Sequence, residues 1–260
     1  MGAPSVVWLV GDWNAGEFAA VRQRLDAARE WMAVAGFDEA AENPELRSSP
    51  PEVVLLAQPR PGCIEQAAID RLLAAAPLVR VVIVAGSWCE GELRTGKPLV
   101  GAVRLYWHEL PAWWERSVAR QRAGLAPLWS GPIGHEGAEK GSGSGLTVAV
   151  DAIDHAALEA LEAALRPHGI DCVWTPRGRG DLGGAAAGIW DGGQLDGEEQ
   201  ASLAAFCRRL GDGPQSVIAL LDYPRAEHDA SARAAGAAGV LGKPYVVASL
   251  VHELALVTSV

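Results

Sequence analysis

The stretch "LTVAV" (146–150) constrains the fold most, because a continuous run of apolar, mostly β-branched residues cannot alternate between a core and water. Such a run is expected to form a strand covered on both faces. Comparable runs follow in "IDCVWT" (170–175), "AAAGIWD" (185–191), "SVIALLD" (216–222) and "AGVLGK" (238–243). Helix-like segments lie among them. "DHAALEALEAALRPHG" (154–169) has Asp154 as N-cap and Leu158, Leu161 and Leu165 at helical spacing. "GEEQASLAAFCRRL" (197–210), "RAEHDASARAAGA" (225–237) and "VVASLVHELALV" (246–257) are the others. Strands alternating with helices predict an α/β, doubly wound parallel sheet with helices on both faces. Only 176–184 interrupts the rhythm, being too short and Gly-rich for a good helix.

The first half has the same rhythm. "SVVWLV" (5–10), "PEVVLLA" (51–57), "VRVVIVAG" (79–86) and "AVRLYW" (102–107) read as strands. "EFAAVRQRLDAAREWMA" (17–33) and "CIEQAAIDRLLAAA" (63–76) read as helices. Sliding the halves over each other aligns "EQA" at 65–67 with "EQA" at 199–201, which suggests an internal duplication. Between the halves, residues 121–145 are rich in Gly, Ser and Pro and end in "GSGSG", the composition of a flexible linker. The expected organisation is therefore a domain at 1–120, a linker at 121–145 and a second domain at 146–260.

Charge narrows the function classes. A formal net charge of -10 disfavours nucleic-acid and anionic-membrane binding, which need concentrated Lys and Arg. No run approaches the roughly 20 apolar residues of a membrane span, and the N-terminus lacks the basic region of a signal peptide. Four scattered cysteines suggest neither a zinc site nor a disulfide framework, so a cytoplasmic protein is expected. Lysine occurs at 97, 140 and 243 alone among 22 basic residues, which draws the eye to Lys243-Pro244.

In the second half a charged residue ends four of the five strands: Asp151, Asp191, Asp222 and Lys243. Ligands of open α/β sheets bind at that edge. The order of elements, with "GAAGVLGKPYVVASLVHEL" as the most specific stretch, resembles a CheY-like receiver domain of response regulators. The resemblance implies Asp191 as phosphoacceptor, Asp151 as a metal-holding acid, Lys243 as the lysine that pairs with the phosphoryl group, and an adjoining Pro244 that is often cis. It implies Mg²⁺ on Asp151 and Asp191, because an attacking carboxylate needs a hard cation to neutralise crowded oxygens. The departures weaken each part. Ala152 stands where receivers carry a second acid, Leu221 stands at the expected Ser/Thr position, and Val240 replaces the aromatic switch. The resemblance thus implies a degenerate pocket of Asp191, Asp151, Lys243 and Asp222, holding at most a weak magnesium and no other cofactor.

The first half has a still emptier pocket. Gly11-Asp12 follows the first strand, Ala57-Gln58 falls at the acceptor position, Ala85-Gly86 at the Ser/Thr position, and Lys97-Pro98 precedes the last strand. Its unusual segment is 86–117, where Cys89 with His108 and Glu109 could form a nucleophile, a base and its orienter. The turn-like, acidic residues after Cys89 oppose this, because they raise a thiol pKa. Tryptophan is frequent, ten in all, and Trp107, Trp113 and Trp114 cluster. Neighbours on a helix lie about 100° apart, so Trp113 and Trp114 cannot both face one side; one is expected to meet solvent, Trp129 or a partner. Three functions follow: a non-catalytic signalling or scaffold protein binding a protein partner or a second copy, a regulator phosphorylated on Asp191 with Mg²⁺, and a thiol enzyme using Cys89.

Overall fold

The computed structural model describes residues 7–14, 16–25, 31–34, 36–92, 96, 99–131, 145–176, 182, 184–211 and 216–259. The chain divides into two compact units, Met1–His135 and Glu136–Val260.

In the second unit the five expected strands form one parallel sheet, in the order β10-β9-β8-β6-β7. They are β6 (Leu146–Asp151), β7 (Ile170–Trp174), β8 (Ala187–Asp191), β9 (Val217–Asp222) and β10 (Gly239–Lys243). Counted within the unit this is 2-1-3-4-5, the doubly wound order of CheY and flavodoxin. Residues 148–150, 187–191 and 217–221 are all buried, as the continuous apolar runs require. The helix Leu110–Arg122 of the first unit is labelled α5; those here are α6 (His155–Leu165), α7 (Gly197–Leu210), α8 (Ala226–Ala234) and α9 (Val247–Thr258). Asp154 caps α6 by accepting from the Ala157 N–H at 2.8 Å, and Gly169, at φ 71°, turns the chain toward β7. Between β7 and β8 the described residues carry no helix. Residues 177–181 and 183 of that connection lie outside the described residues.

The first unit repeats the order as β2-β1-β3-β4-β5. Its strands are β1 (Val7–Val10), β2 (Trp31–Val34), β3 (Val53–Gln58), β4 (Arg80–Ala85) and β5 (Val103–Tyr106). Here a sequence expectation fails. The helix predicted over 17–33 is α1 (Gly16–Leu25), and "WMAV" is the edge strand β2, paired in parallel with β1. Pairing decides this: the quartet runs in register beside β1, from Val7 opposite Trp31 to Val10 opposite Val34. Short helices α2 (Phe37–Glu42) and α3 (Glu45–Ser48) lead to β3, and α4 (Gln66–Ala75) leads to β4.

The linker and the tryptophans need correction too. Helix α5 runs to Arg122, and the 3-10 turn Leu128–Ser130 packs into the first unit, so 121–131 is not free linker. Residues 132–144 lie outside the described residues. Trp129 is 1% exposed; its ring lies 5.2 Å from Trp114 and 6.0 Å from Trp113, and its Nε1 donates to Glu52 at 2.8 Å. Trp107, Trp113 and Trp114 are all buried in the same core, so they form no interaction surface. The turn folded back onto α5 covers the ring that helix geometry alone would leave outside.

Candidate functional site

The strand order reverses between β6 and β8, so the loops after them diverge and leave a crevice at their carboxyl ends. Alternation sets which side chains meet there. Trp190 and Leu221 belong to the cluster under α7 and α8, with Leu203, Phe206 and Ala232. Asp191 and Asp222, one residue on from each, therefore take the other face, and Lys243 stands opposite Asp222 in register. The Lys243 Nζ lies 2.9 Å from Asp191 Oδ1, 3.0 Å from Asp222 Oδ1 and 2.6 Å from the Gly192 carbonyl oxygen. An ammonium has three protons, and these three acceptors take them all. Burial opposes the charge on Lys243, but hydrogen bonds and attraction to Asp191 and Asp222 outweigh it and hold its pKa above the usual lysine value. The Lys243-Pro244 bond is cis. Burial, with Asp191 and Cys172 adding to it, pushes the phenol of Tyr245 up to about 12.

Asp151 does not join the lysine. Facing Trp190 in register and 1% exposed, it lies by alternation on the face of Ala149, opposite to that of Asp191. Thr175, the residue after β7, is also fully buried, and its Oγ1 makes no hydrogen bond. The partners of Lys243 are thus Asp191, Asp222 and the Gly192 carbonyl, and Asp151 is not among them. Leu221 is a core residue within β9, and Asp222 is the residue that meets the lysine from that strand. Val240 is buried in the same cluster as Leu221, with no aromatic ring at its position.

These side chains do not fit the magnesium centre that a receiver implies. Among the described residues no group of three or more His, Cys, Asp or Glu is placed to hold a metal. Ala152 supplies no ligand, the Asp154 carboxylate caps α6, and Lys243 occupies Asp191 Oδ1.

Register identifies the matching positions of the first unit. Val10 faces Leu56 as Asp151 faces Trp190. One residue on, Ala57 faces Val84 as Asp191 faces Leu220. Continuing along the fourth and fifth strands, Gly86 matches Asp222 and Trp107 matches Lys243. An alanine, a glycine and an indole thus replace two carboxylates and an ammonium. Glu17 fills the vacated space: a Cβ on Gly86 would come 2.3 Å from its Oε1, which also accepts the Ser87 N–H. The Trp107 Nε1 donates to Ser87 Oγ at 3.1 Å.

Polar chemistry in this unit moves to another group of side chains. Arg104 pairs with Glu92 at 2.6 Å and donates to Gln58 Oε1 at 2.8 Å, while Gln58 Nε2 donates to Glu92 at 3.3 Å. The Cys89 thiol is fully buried and donates to the Gln58 carbonyl. Burial first, with Glu92 and Cys63 adding to it against Arg104, raises its pKa to about 11, so it is a neutral thiol near pH 7. His108 stacks on Tyr106 and meets Trp107 edge-on; burial lowers its pKa to about 4. Glu109 Oε2 accepts the Tyr106 N–H. The Cys89 thiol is neutral and donates to a carbonyl, the Glu109 carboxylate accepts the Tyr106 N–H, and burial makes His108 a weak base, which argues against a nucleophile set. The Gln58–Arg104–Glu92 group escapes sequence reasoning because its partners lie 34 and 46 residues apart. The one hint was an arginine in the apolar strand "AVRLYW".

No family model and no curated protein matches this sequence. Among solved structures, the chain is similar to one described as a two-component system response regulator/GGDEF domain protein, at 13% identity and a TM-score of 0.34, covering 98% of this chain and 100% of that one. A second structure with a similar description has 15% identity and a TM-score of 0.35, covering 97% and 99%. The E. coli RcsC C-terminus, described as a linker region and phosphoreceiver domain, has 14% identity and a TM-score of 0.34, covering 100% and 96%. At such values the site has to be judged on its own geometry. Each unit is a doubly wound α/β domain with the CheY strand order, and among the described residues no helix is long and apolar enough to cross a membrane.

Proposed function

We propose that the chain is a cytoplasmic signalling protein built from two degenerate receiver-like domains, which acts through protein–protein surfaces and not by phosphoryl transfer. One observation carries the proposal: the Lys243 ammonium is fully engaged by Asp191, Asp222 and the Gly192 carbonyl, which leaves it no proton to offer a phosphoryl group. Support comes from the first unit, whose matching positions are Ala57, Gly86 and Trp107. A surface for partners is offered by α9. Its one acidic residue, Glu253, is buried, while Leu256 is 43% exposed and Val247 and Val251 are half-buried. A helix face free of charge is where two copies of a chain of net charge -10 can meet without repulsion. Dimerisation through the last helix is also what the receiver resemblance implies.

The second reading is phosphorylation of Asp191 with Mg²⁺, favoured by its place at the end of the third strand beside the crevice. One experiment separates the two. The protein is incubated with a small-molecule phosphodonor and Mg²⁺, and intact mass is recorded. The first reading expects no adduct; a phosphoryl adduct of about 80 Da, lost in Asp191→Asn, would establish the second and overturn the first.

A further inference from the structure

The three oxygens around Lys243 Nζ have the composition of a small cation cage. Two are carboxylate oxygens and one is a backbone carbonyl, all within 3.0 Å of a single point. Hard divalent cations favour this donor type: Ca²⁺ sits about 2.3–2.6 Å from its oxygens and Mg²⁺ about 2.0–2.1 Å, with waters completing the shell. The cage shares Asp191 with the site a receiver would give magnesium, but has Asp222 and a carbonyl in place of Asp151. Its parts come from three strand ends: Asp191-Gly192 after β8, Asp222 at the end of β9, and Lys243 at the end of β10. The ammonium offsets one of the two carboxylate charges and also ties these ends together.

We propose that Lys243 is a built-in cation, occupying the one seat among these strand ends where the second unit could take a divalent metal. The wild-type pocket then rejects divalent cations because its seat is filled by a tethered charge. Removing that charge leaves two carboxylates and a carbonyl facing each other, and a free cation replaces the ammonium. The larger Ca²⁺ suits the existing 2.6–3.0 Å spacing better; Mg²⁺ requires the loops to contract. The inference rests on the reading that this pocket does not serve phosphoryl transfer. It is tested without a phosphodonor, so an adduct at Asp191 would sink that reading, whereas cation binding by the unaltered protein would sink this one.

The test is thermal unfolding and calorimetric titration with Ca²⁺ and Mg²⁺ at constant ionic strength, on the wild type, Lys243→Met, Lys243→Gln and Lys243→Met/Asp222→Asn. In wild type, 10-fold changes of either cation in the millimolar range (about 1 to 10 mM) should leave Tm in place. Lys243→Met should melt several degrees lower and recover with millimolar cation, Ca²⁺ ahead of Mg²⁺, and Lys243→Gln should respond in the same direction. Adding Asp222→Asn should remove the recovery. If Lys243→Met is unfolded without metal, Ca²⁺ must restore its helical circular dichroism. The proposal is overturned by a cation-dependent Tm rise in wild type, or by lysine variants that do not respond to either cation.

Discussion

Asp191 and Ala57 occupy the same register position in two sheets of the same strand order, as do Asp222 and Gly86, and Lys243 and Trp107. The second unit carries charge at all three, and a lysine satisfies it. The first unit carries none at these positions; Glu17 and the Trp107 indole close the space, and the charges appear instead in the Arg104–Glu92–Gln58 group. The comparison teaches that the frame holds with either filling. What it requires at the carboxyl edge is a set of hydrogen-bonded partners, and an ion cluster or an indole with a hydrogen-bonded serine will serve. One backbone position makes the point. The Gly192 carbonyl accepts from Lys243, and the matching Gln58 carbonyl accepts from the Gly86 N–H and the Cys89 thiol.

The strongest way to break the comparison is to open the first unit's closure. Trp129→Ala removes a ring packed on Trp113 and Trp114 and the hydrogen bond to Glu52, and should destabilise the unit by about 3–5 kcal/mol in urea unfolding. A loss under 1 kcal/mol would mean that the 3-10 turn does not hold the tryptophans inside. Next in size is Gly192→Ala. Its Cβ would come within 1.9 Å of the rigid, buried Trp190 ring, so a shift of the loop and a loss of about 1–3 kcal/mol are expected, with faster amide exchange around the lysine cluster. An unchanged exchange pattern would uncouple that loop from the cluster.

Acid sharpens the contrast further. Desolvation of half-buried His108 lowers its pKa to about 4 in the folded protein, so the unfolded chain binds its proton first. Stability of the first unit should be full above pH 6.5 and fall as pH drops toward 4, on the order of 2 kcal/mol, with a shallower fall in His108→Gln. Equal slopes in the two proteins would remove His108 as the cause. The smallest effect is at Cys89. With its thiol near pKa 11 and fully buried, iodoacetamide at pH 8 should label it at least tenfold more slowly than exposed Cys63, followed by peptide mass mapping. Faster labelling of Cys89 would revive the thiol-enzyme reading.

Continuous apolar runs, helical spacing and turn residues were enough to define the second unit's five strands, four of the five in the first unit, the Asp154 cap and the charged strand ends, because these depend on local periodicity and on which residues avoid water. What periodicity could not separate was "WMAV" as a strand from the helix before it, since a short apolar run suits either until a neighbour pairs with it. The tertiary structure alone decided the contacts that bridge many residues or depend on strand parity. A one-residue step moved Leu221 into the core and brought Asp222 to the lysine, and the same alternation separated Asp151 from Asp191. Trp129 closed over Trp113 and Trp114 from a segment whose composition suggested a linker, because burying three indoles outweighs the flexibility of a few Gly and Pro residues.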